Sequence, residues 1–541
     1  MKKTLIVNIL IVDALAANEG RRKFSRDAIG VGPRLLAGIC VKNNSYSRIT
    51  RVEDLLEQEN VVSIETSEVF FISAMTVDEI AVSRIVRKIK EENKSAFIVL
   101  GGPISTDPKI IQKLEVNLAV YGEGEFIVDE LIRNDFSIES LSKADNNIQQ
   151  INGKYYIKRK ITSKINPFDL FAPSTSHIKD YPDYWFSKVY VETVRGCSNF
   201  YRGELVKQSG GCSDCGNCED IDEIITGNCP EEIPPGCGFC SVPSIFGPSR
   251  SRSIESIETE VADLFNNGVR RIMLSAPGFL DFQRERKEDH LFSPTSPKVN
   301  LERIEELLSK LAEIRDSQTK LCNISIENVK PSLVNSEATK IIGKYLPDTS
   351  ISIGCETFDV IHSDQIGRPS SPTQALNAAK YFKEAGINPQ IYLIHSLPGE
   401  TIKSLDKTIE IVEGGLTDIA EKITVYKYLP LPNSPFTKTD VSLPLDRHLL
   451  NIKRDRLKEA IIDFNFRKKE EILDSEIIAI VAEKDRIRKD TYICYPLNSG
   501  PAVSVKSQEN IIGETLKIKI NKVVSDKLVA GQVVEILENE K

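Results

Sequence analysis

The sequence predicts an α/β protein: an N-terminal doubly wound sheet, a central (β/α) partial barrel and a small C-terminal β-barrel. Three observations carry this. Short β-branched runs alternate with helical periodicity from Leu5 to about Ile132. The same alternation resumes after residue 250 and runs through about 435. From Pro501 the pattern changes to closely spaced β-branched runs without helices between them. At 541 residues the chain exceeds one core, and its expected divisions are 1–135, a connector 136–190, 191–435, a helical extension 436–500, and 501–541.

In the first part the expected strands are Leu5–Val12, Val69–Ser73, Phe97–Leu100 and Leu118–Tyr121, with a helix such as Val77–Glu91 between two of them. Ligands of doubly wound sheets sit at the carboxyl ends of the strands. Those ends carry Ser73 and Thr76, Gly101 and Gly102, and Gly122, Glu123 and Gly124. Glycine there lets backbone amides approach a bulky ligand, although tight turns between strand and helix use it equally.

In the central part the expected order is helix Ile254–Asn267, strand Arg271–Ser275, helix Leu301–Arg315, strand Asn323–Glu327, helix Ser336–Lys344 and strand Ser350–Cys355. Helix Thr373–Ala385, strand Gln390–Ile394, helix Ile402–Glu413 and strand Lys422–Tyr426 follow. Repeated units of this length place chemistry at the strand C-terminal ends. A charged helix spans roughly Leu445–Glu471, and the last part reads as strands Val503–Val505, Leu516–Ile520 and Val533–Ile536.

Composition is that of an ordinary soluble protein, 40% hydrophobic and 27% charged with a net charge of -8. The acidic balance argues against nucleic acid as the main partner; residues 501–541 hold six lysines against six acidic residues. The start, Met1-Lys2-Lys3 and an apolar run, imitates a signal peptide, but Asn8 and Asp13 interrupt it and a β-strand explains it better. No segment reaches 18 apolar residues, so a cytoplasmic location and no membrane partner are expected.

Seven of the 11 cysteines fall between Cys197 and Cys240. A dense cluster without secretory context reads as metal ligation rather than a disulfide scaffold. Cys237 and Cys240, two residues apart, suit adjacent corners of one iron–sulfur cubane, and Cys197 is the third candidate ligand. Cys212, Cys215, Cys218 and Cys229, spaced C-x2-C-x2-C-x10-C among glycines and acidic residues, suit a closed site: mononuclear iron, structural zinc or a second iron–sulfur cluster.

The segments Glu192-Thr193-Val194-Arg195-Gly196-Cys197 and Gly236-Cys237-Gly238-Phe239-Cys240 resemble the radical S-adenosylmethionine (SAM) motif ExxRGCxxxCxFC. The 39 residues 198–236 stand where that family has three, as an insertion in the cluster loop. The resemblance implies a [4Fe-4S] cluster with one open iron that chelates and cleaves SAM, with Phe239 near the adenine. Gly354-Cys355-Glu356, Gly367-Arg368 and Ser396-Leu397-Pro398-Gly399-Glu400-Thr401 resemble the family's further segments, implying that Glu356 meets the ribose and Arg368 the methionyl carboxylate. Pro277-Gly278 stands in the place of its glycine-rich amino-group site and matches poorly.

The N-terminal strand ends resemble the cobalamin-binding domain of radical SAM methyltransferases, which implies a corrin on Ser73, Thr76, Gly101, Gly102, Gly122, Glu123 and Gly124. No histidine precedes His177, so a DxHxxG-type lower ligand is missing. Over roughly residues 1–435 the resemblance implies methyl transfer to an unactivated carbon of a protein or peptide substrate, with an electron donor such as ferredoxin or flavodoxin. Tyr426, at the last barrel strand end, is the candidate proton relay. Domain order and the extra cysteines are similar to those of the methanogen enzymes that C-methylate a glutamine of methyl-coenzyme M reductase. The alternative is the methylthiotransferases, which act on RNA or protein and end in a TRAM module similar to the Gly513–Gly531 region. They place three cluster cysteines in the N-terminal domain, where this chain has only Cys40.

Overall fold

The computed structural model describes residues 8–22, 26–57, 64–159, 166–219, 228–284, 295, 298–438 and 447–538. Residues 5–7 of the first expected strand and the first two residues of the expected helix at 445 lie outside them. The chain divides into two compact units, Met1–Val191 with Arg252–Val269, and Glu192–Ser251 with Arg270–Lys541.

The first unit contains strands β1 (Ile9–Asp13), β2 (Ser47–Arg51), β3 (Val69–Ser73), β4 (Phe97–Gly101), β5 (Leu118–Tyr121), β6 (Asn146–Ile151) and β7 (Lys154–Arg159), with helices α1 (Val31–Lys42), α2 (Glu79–Glu92), α3 (Pro108–Lys113) and α4 (Glu125–Arg133). The sheet order is β2-β1-β3-β4-β5-β7-β6, with only β6 antiparallel. The order reverses between β1 and β3, which is where doubly wound sheets open a crevice. Every residue of β1 and β3 is buried, as expected of parallel strands covered on both faces.

Three of these strands differ from expectation. β2 (Ser-Arg-Ile-Thr-Arg) is an edge strand whose polar residues hide the apolar signal. β6 and β7 fall in the expected connector and extend the sheet. They are joined by Asn152 and Gly153, both with positive φ (50° and 77°), a tight hairpin turn. Helix α5 (Ile254–Asn266) also belongs to this unit, where its buried Glu260 accepts from Arg34 at 2.8 Å and Arg252 at 2.5 Å.

The second unit carries β8 (Arg271–Ser275), α6 (Leu301–Asp316), β9 (Asn323–Ile326), α7 (Ser336–Tyr345), β10 (Ser350–Glu356), α8 (Pro372–Glu384), β11 (Asn388–His395), α9 (Ile402–Gly414) and β12 (Lys422–Lys427). β8 and β9 pair in parallel, and the two-residue strand Asn328–Val329, β10, β11 and β12 continue as a parallel sheet in chain order. Helix α10 (Arg447–Glu470) covers the β12 edge: Asn465 accepts from the Ile423 amide and donates to its carbonyl, as a neighbouring strand would.

A closed five-stranded barrel follows, in the order β13 (Glu476–Lys484), β14 (Thr491–Pro496), β15 (Ala502–Lys506), β17 (Leu528–Glu538) and β16 (Thr515–Val523). The expected helical extension 436–500 therefore ends early, since β13 and β14 lie within it. β13 buries a continuous run, Ala479–Ala482, rather than alternate residues, so it lacks the strand period in sequence. Among the described residues no helix is long and apolar enough to cross a membrane.

Candidate active site

The loop that opens the second unit is locked before its first cysteine. Arg195 forks onto Glu192 with bonds of 2.9 and 2.7 Å, and Val194–Arg195 pairs with Arg250–Ser251. Gly196 has φ 81°, and a Cβ there would run into the Pro248 carbonyl, so this turn requires glycine. The Cys197 amide then donates to the Gly247 carbonyl at 3.1 Å.

The inserted residues leave and return at one point. Asn199 donates from its amide to Cys197 Sγ at 3.4 Å and from Nδ2 to Cys237 Sγ at 3.2 Å, with a further bond to the Gly367 carbonyl. The Cys240 amide turns back onto the Cys237 carbonyl at 2.9 Å. Burial pushes the Cys237 and Cys240 thiols up, the latter to about 12, and the nearby Cys197 sulfur adds to both shifts. Two thiols that resist ionising, with a third sulfur beside them, fit a cationic metal group, which favours thiolate. Among the described residues no three cysteine, histidine or acidic side chains meet around one metal-sized point. Thiolates of a cubane bind separate irons and have no need to do so.

A buried ionic group lies against Cys197. Lys330 donates to Ser198 Oγ at 2.7 Å and pairs with Asp281, which also holds Arg284 at 2.7 Å. Burial alone would lower the Lys330 ammonium, but Asp281 and the Cys197 sulfur outweigh it, so it stays above the usual lysine range. Sequence reasoning missed Asn199, Asp281 and Lys330, whose role depends on contacts 38 to 132 residues apart.

Opposite this loop the strand ends converge. β10 shifts register between Gly354 and Glu356, and Glu356 has φ 69°, a strained bulge of the kind that re-aims a side chain at functional sites. Arg368 lies 3.5 Å from Glu356, donates to the Gly354 carbonyl at 2.6 Å and to Cys237 Sγ at 3.7 Å, and sits 5.9 Å from the Phe239 ring centroid. Burial raises the Glu356 carboxyl, with Arg368 opposing. The buried Arg368 Nε has no partner among the described residues. Thus Cys237, Phe239, Glu356 and Arg368 share one place. Tyr426 is half exposed, its ring stacked on Tyr392 at 5.8 Å.

The turn after β11 serves structure instead. Glu400 accepts from the Ser396 amide at 2.8 Å and from Arg454 of α10 at 2.6 Å. Gly278 packs on the Lys330 stem.

In the first unit Ser73, Gly101, Gly102, Gly122, Glu123 and Gly124 all fall at or just beyond the ends of β3, β4 and β5, with Thr76 three residues past β3. Gly102 (φ 87°) would drive a Cβ into the Ala74 carbonyl, whereas a Cβ at Gly101 would meet open space. Met75 and Val77 are exposed beside them. At the end of β1, Asp13 holds Arg22 at 2.9 Å and accepts from the Tyr181 hydroxyl at 3.0 Å. His177 is occupied by Ser174 and the Ser47 carbonyl.

The chain matches the Radical SAM superfamily over residues 224–412. It is 38% identical to protein MJ1620 of Methanocaldococcus jannaschii over 533 residues, 97% of this chain and 98% of that one. This chain belongs to the MJ1620 family and carries a radical SAM domain. The tRNA-2-methylthio-N(6)-dimethylallyladenosine synthase of Clostridium novyi is a more distant relative, 24% identical over 305 residues, 55% of this chain and 62% of that one. Two solved structures share the fold. OxsB, a cobalamin-dependent SAM radical enzyme seen with aqua-cobalamin and SAM, has a TM-score of 0.53 at 14% identity, covering 84% of this chain and 56% of that one. TsrM, a radical SAM methyltransferase from Kitasatospora setae, has a TM-score of 0.53 at 13% identity, covering 79% and 75%.

A radical SAM enzyme implies a [4Fe-4S] cluster, SAM, an electron donor and a substrate. The residues suited to the first two are those just described. The inserted cysteines stand beside them: Cys212 and Cys229 pack on a buried patch of Val206, Ile233, Ile366, Leu397 and Phe436 that also receives Phe239. Cys218 Sγ accepts from Arg202 at 3.4 Å, and Cys215 is exposed.

Proposed function

We propose that this chain is a cobalamin-dependent radical SAM methyltransferase that places a methyl group on an unactivated carbon of a protein or peptide. The observation that carries the reading is that one chain presents both the Cys237–Phe239–Glu356–Arg368 constellation and a doubly wound sheet with glycine-lined strand ends. On that reading the cluster on Cys197, Cys237 and Cys240 supplies an adenosyl radical from SAM, and the corrin supplies the methyl group.

The chain's own residues position and shield. Arg368 offers its free Nε and its fork to a carboxylate, and Glu356, whose carboxylate form Arg368 favours against burial, accepts from ribose hydroxyls. Phe239 offers a flat apolar face. Lys330 and Asn199 hold Cys197 and Cys237 from outside the cluster with N–H groups. In the first unit the open space over Gly101 and the exposed Met75 and Val77 suit a broad, apolar ring. Tyr426, stacked and half exposed, is suited to carry a proton to or from substrate.

A glutamine of methyl-coenzyme M reductase is the finer candidate substrate, on the likeness in domain order and extra cysteines. The C-terminal barrel and the Clostridium novyi relative favour a second reading, thiolation of RNA or protein. Anaerobic reconstitution followed by metal counting separates them: methyl transfer predicts about one cobalt per chain beside iron, and methyl from labelled SAM appearing in a peptide. Iron without cobalt, with sulfur delivered to the substrate, contradicts the proposal.

A further inference from the structure

The four thiols of the insertion are the strongest feature that the methyl-transfer chemistry leaves unused. The short helix Glu204–Ser209 ends in Gly210 and Gly211, and the Cys212 amide caps it by donating to the Lys207 carbonyl at 3.0 Å. Gly211, Asp214 and Gly216 have positive φ (69°, 51° and 77°), so the backbone turns repeatedly between Cys212 and Cys218. Asn217 Nδ2 donates to the Asn228 carbonyl at 2.7 Å, which ties the segment bearing three cysteines to the one bearing Cys229.

A second observation points to a ligand role for these thiols. Arg202 is fully buried, is fixed by the Ile233 carbonyl at 2.8 Å, and aims Nη1 at Cys218 Sγ. That sets a buried N–H donor, fixed from behind, on one of the four sulfurs, the kind of contact that orients a metal-ligating side chain. Four cysteine thiolates are a complete ligand set for a [4Fe-4S] cluster, one on each iron.

The placement suggests what such a cluster does. With four cysteine ligands it has no vacant iron for SAM, so its available chemistry is storing and passing an electron. Arg202 follows Asn199 by three residues, roughly 11 Å of fully extended chain. Asn199 touches Cys237 Sγ and Arg202 touches Cys218 Sγ. Cys212, Cys229 and Phe239 share one apolar patch, while Cys215 is exposed, where a protein donor has access.

We infer that Cys212, Cys215, Cys218 and Cys229 hold a second [4Fe-4S] cluster that relays electrons from a protein donor to the radical cluster; this rests on the radical SAM reading of Cys197, Cys237 and Cys240. A low-potential one-electron protein donor gives one electron to the inserted cluster, taking it from the 2+ to the 1+ state. That electron moves to the radical cluster, which goes from 2+ to 1+ as the inserted one returns to 2+. No bond forms or breaks and no proton moves. The net change is a donor oxidised and a radical cluster reduced by one electron.

The test uses the full chain, reconstituted anaerobically, beside a Cys215→Ser/Cys218→Ser variant. The wild type should bind about eight irons and eight sulfides per chain, of which about half give an electron paramagnetic resonance signal that responds to SAM. The variant should keep the responsive signal and about four irons. With dithionite its release of 5′-deoxyadenosine should match the wild type, and with reduced flavodoxin fall by about tenfold or more. Should the variant fail to fold, substoichiometric flavodoxin added to wild type should reduce the SAM-silent cluster first. Zinc in the insertion, a wild type with about four irons that all respond to SAM, or equal rates with both reductants overturns the relay alone. A wild type whose iron never responds to SAM overturns the radical SAM reading beneath it.

Discussion

Replacing Arg368 by Met removes the guanidinium that lies 3.5 Å from Glu356, 2.6 Å from the Gly354 carbonyl and 3.7 Å from Cys237 Sγ, while keeping most of the apolar stem. Two separate effects follow. The Glu356 carboxyl, already raised by burial, loses its cation. Breaking a buried pair from one side costs about 3–5 kcal/mol, and protonation of Glu356 limits that loss. The second effect falls on SAM: a charge-assisted bond to its carboxylate is worth about 1.5–3 kcal/mol, so affinity should drop roughly 10- to 150-fold. Equilibrium dialysis of labelled SAM against the reconstituted chain reads this. Adding Glu356→Gln to Arg368→Met should restore part of the lost stability and none of the lost affinity. If the single variant binds SAM as the wild type does, or the double variant recovers binding, Arg368 does not contact the ligand and the constellation is only an internal ion pair.

Lys330→Met should lower stability by about 3 kcal/mol, the lower end for a broken buried pair because Arg284 still holds Asp281. It should also weaken cluster retention at Cys197, read as iron per chain after gel filtration, while an unchanged iron content and denaturation midpoint would contradict this. Gly101→Leu should leave the denaturation midpoint of the first unit unchanged while reducing bound cobalt, since its side chain projects into open space. Gly102→Ala should destabilise that unit, because its φ of 87° and the Ala74 carbonyl leave no place for a Cβ; the reverse ranking would be evidence against a ligand over Gly101. His395 is held down to about 4, mainly by burial and then by Lys458 and Arg454, against about 6.5 when unfolded. The unfolded chain takes up a proton that the folded one refuses, so stability falls as pH drops from about 6.5 to about 4, by at most about 3 kcal/mol. His395→Gln should flatten that slope in urea midpoints, and an identical slope in both proteins would exclude this residue as its source.

Strands buried on both faces are legible because they must be continuous apolar runs: Val69–Ser73 and Leu118–Tyr121 are delimited residue for residue by their β-branched and aromatic content. Strands with one wet face or an edge are less legible. β2 alternates arginine with buried residues, and β6 is mostly Asn and Gln, although Asn152-Gly153 was a readable hairpin signal. β13 follows a charged helix directly, so its apolar run gives no separate strand period. The cysteines were singled out by residue type and spacing, which local turns dictate, and Phe239, Glu356 and Arg368 by the resemblance of their segments to the radical SAM motifs. Asn199, Lys330 and Asp281 were not, because an Asn in a loop or a Lys after a strand announces nothing until the chain folds across 38 or 49 residues to meet its partner. The insertion shows the same limit: its four thiols are plain in sequence, but their shared apolar patch with Phe239 exists only in the fold.

The central claim is that Cys197, Cys237 and Cys240 hold a cluster with one iron open to SAM. Its most direct test is the electron paramagnetic resonance spectrum of the reduced, reconstituted chain before and after SAM is added, in the wild type and in Cys240→Ala. The account predicts a spectrum that changes on adding SAM in the wild type and a variant with no responsive signal. A response that survives in Cys240→Ala would contradict it.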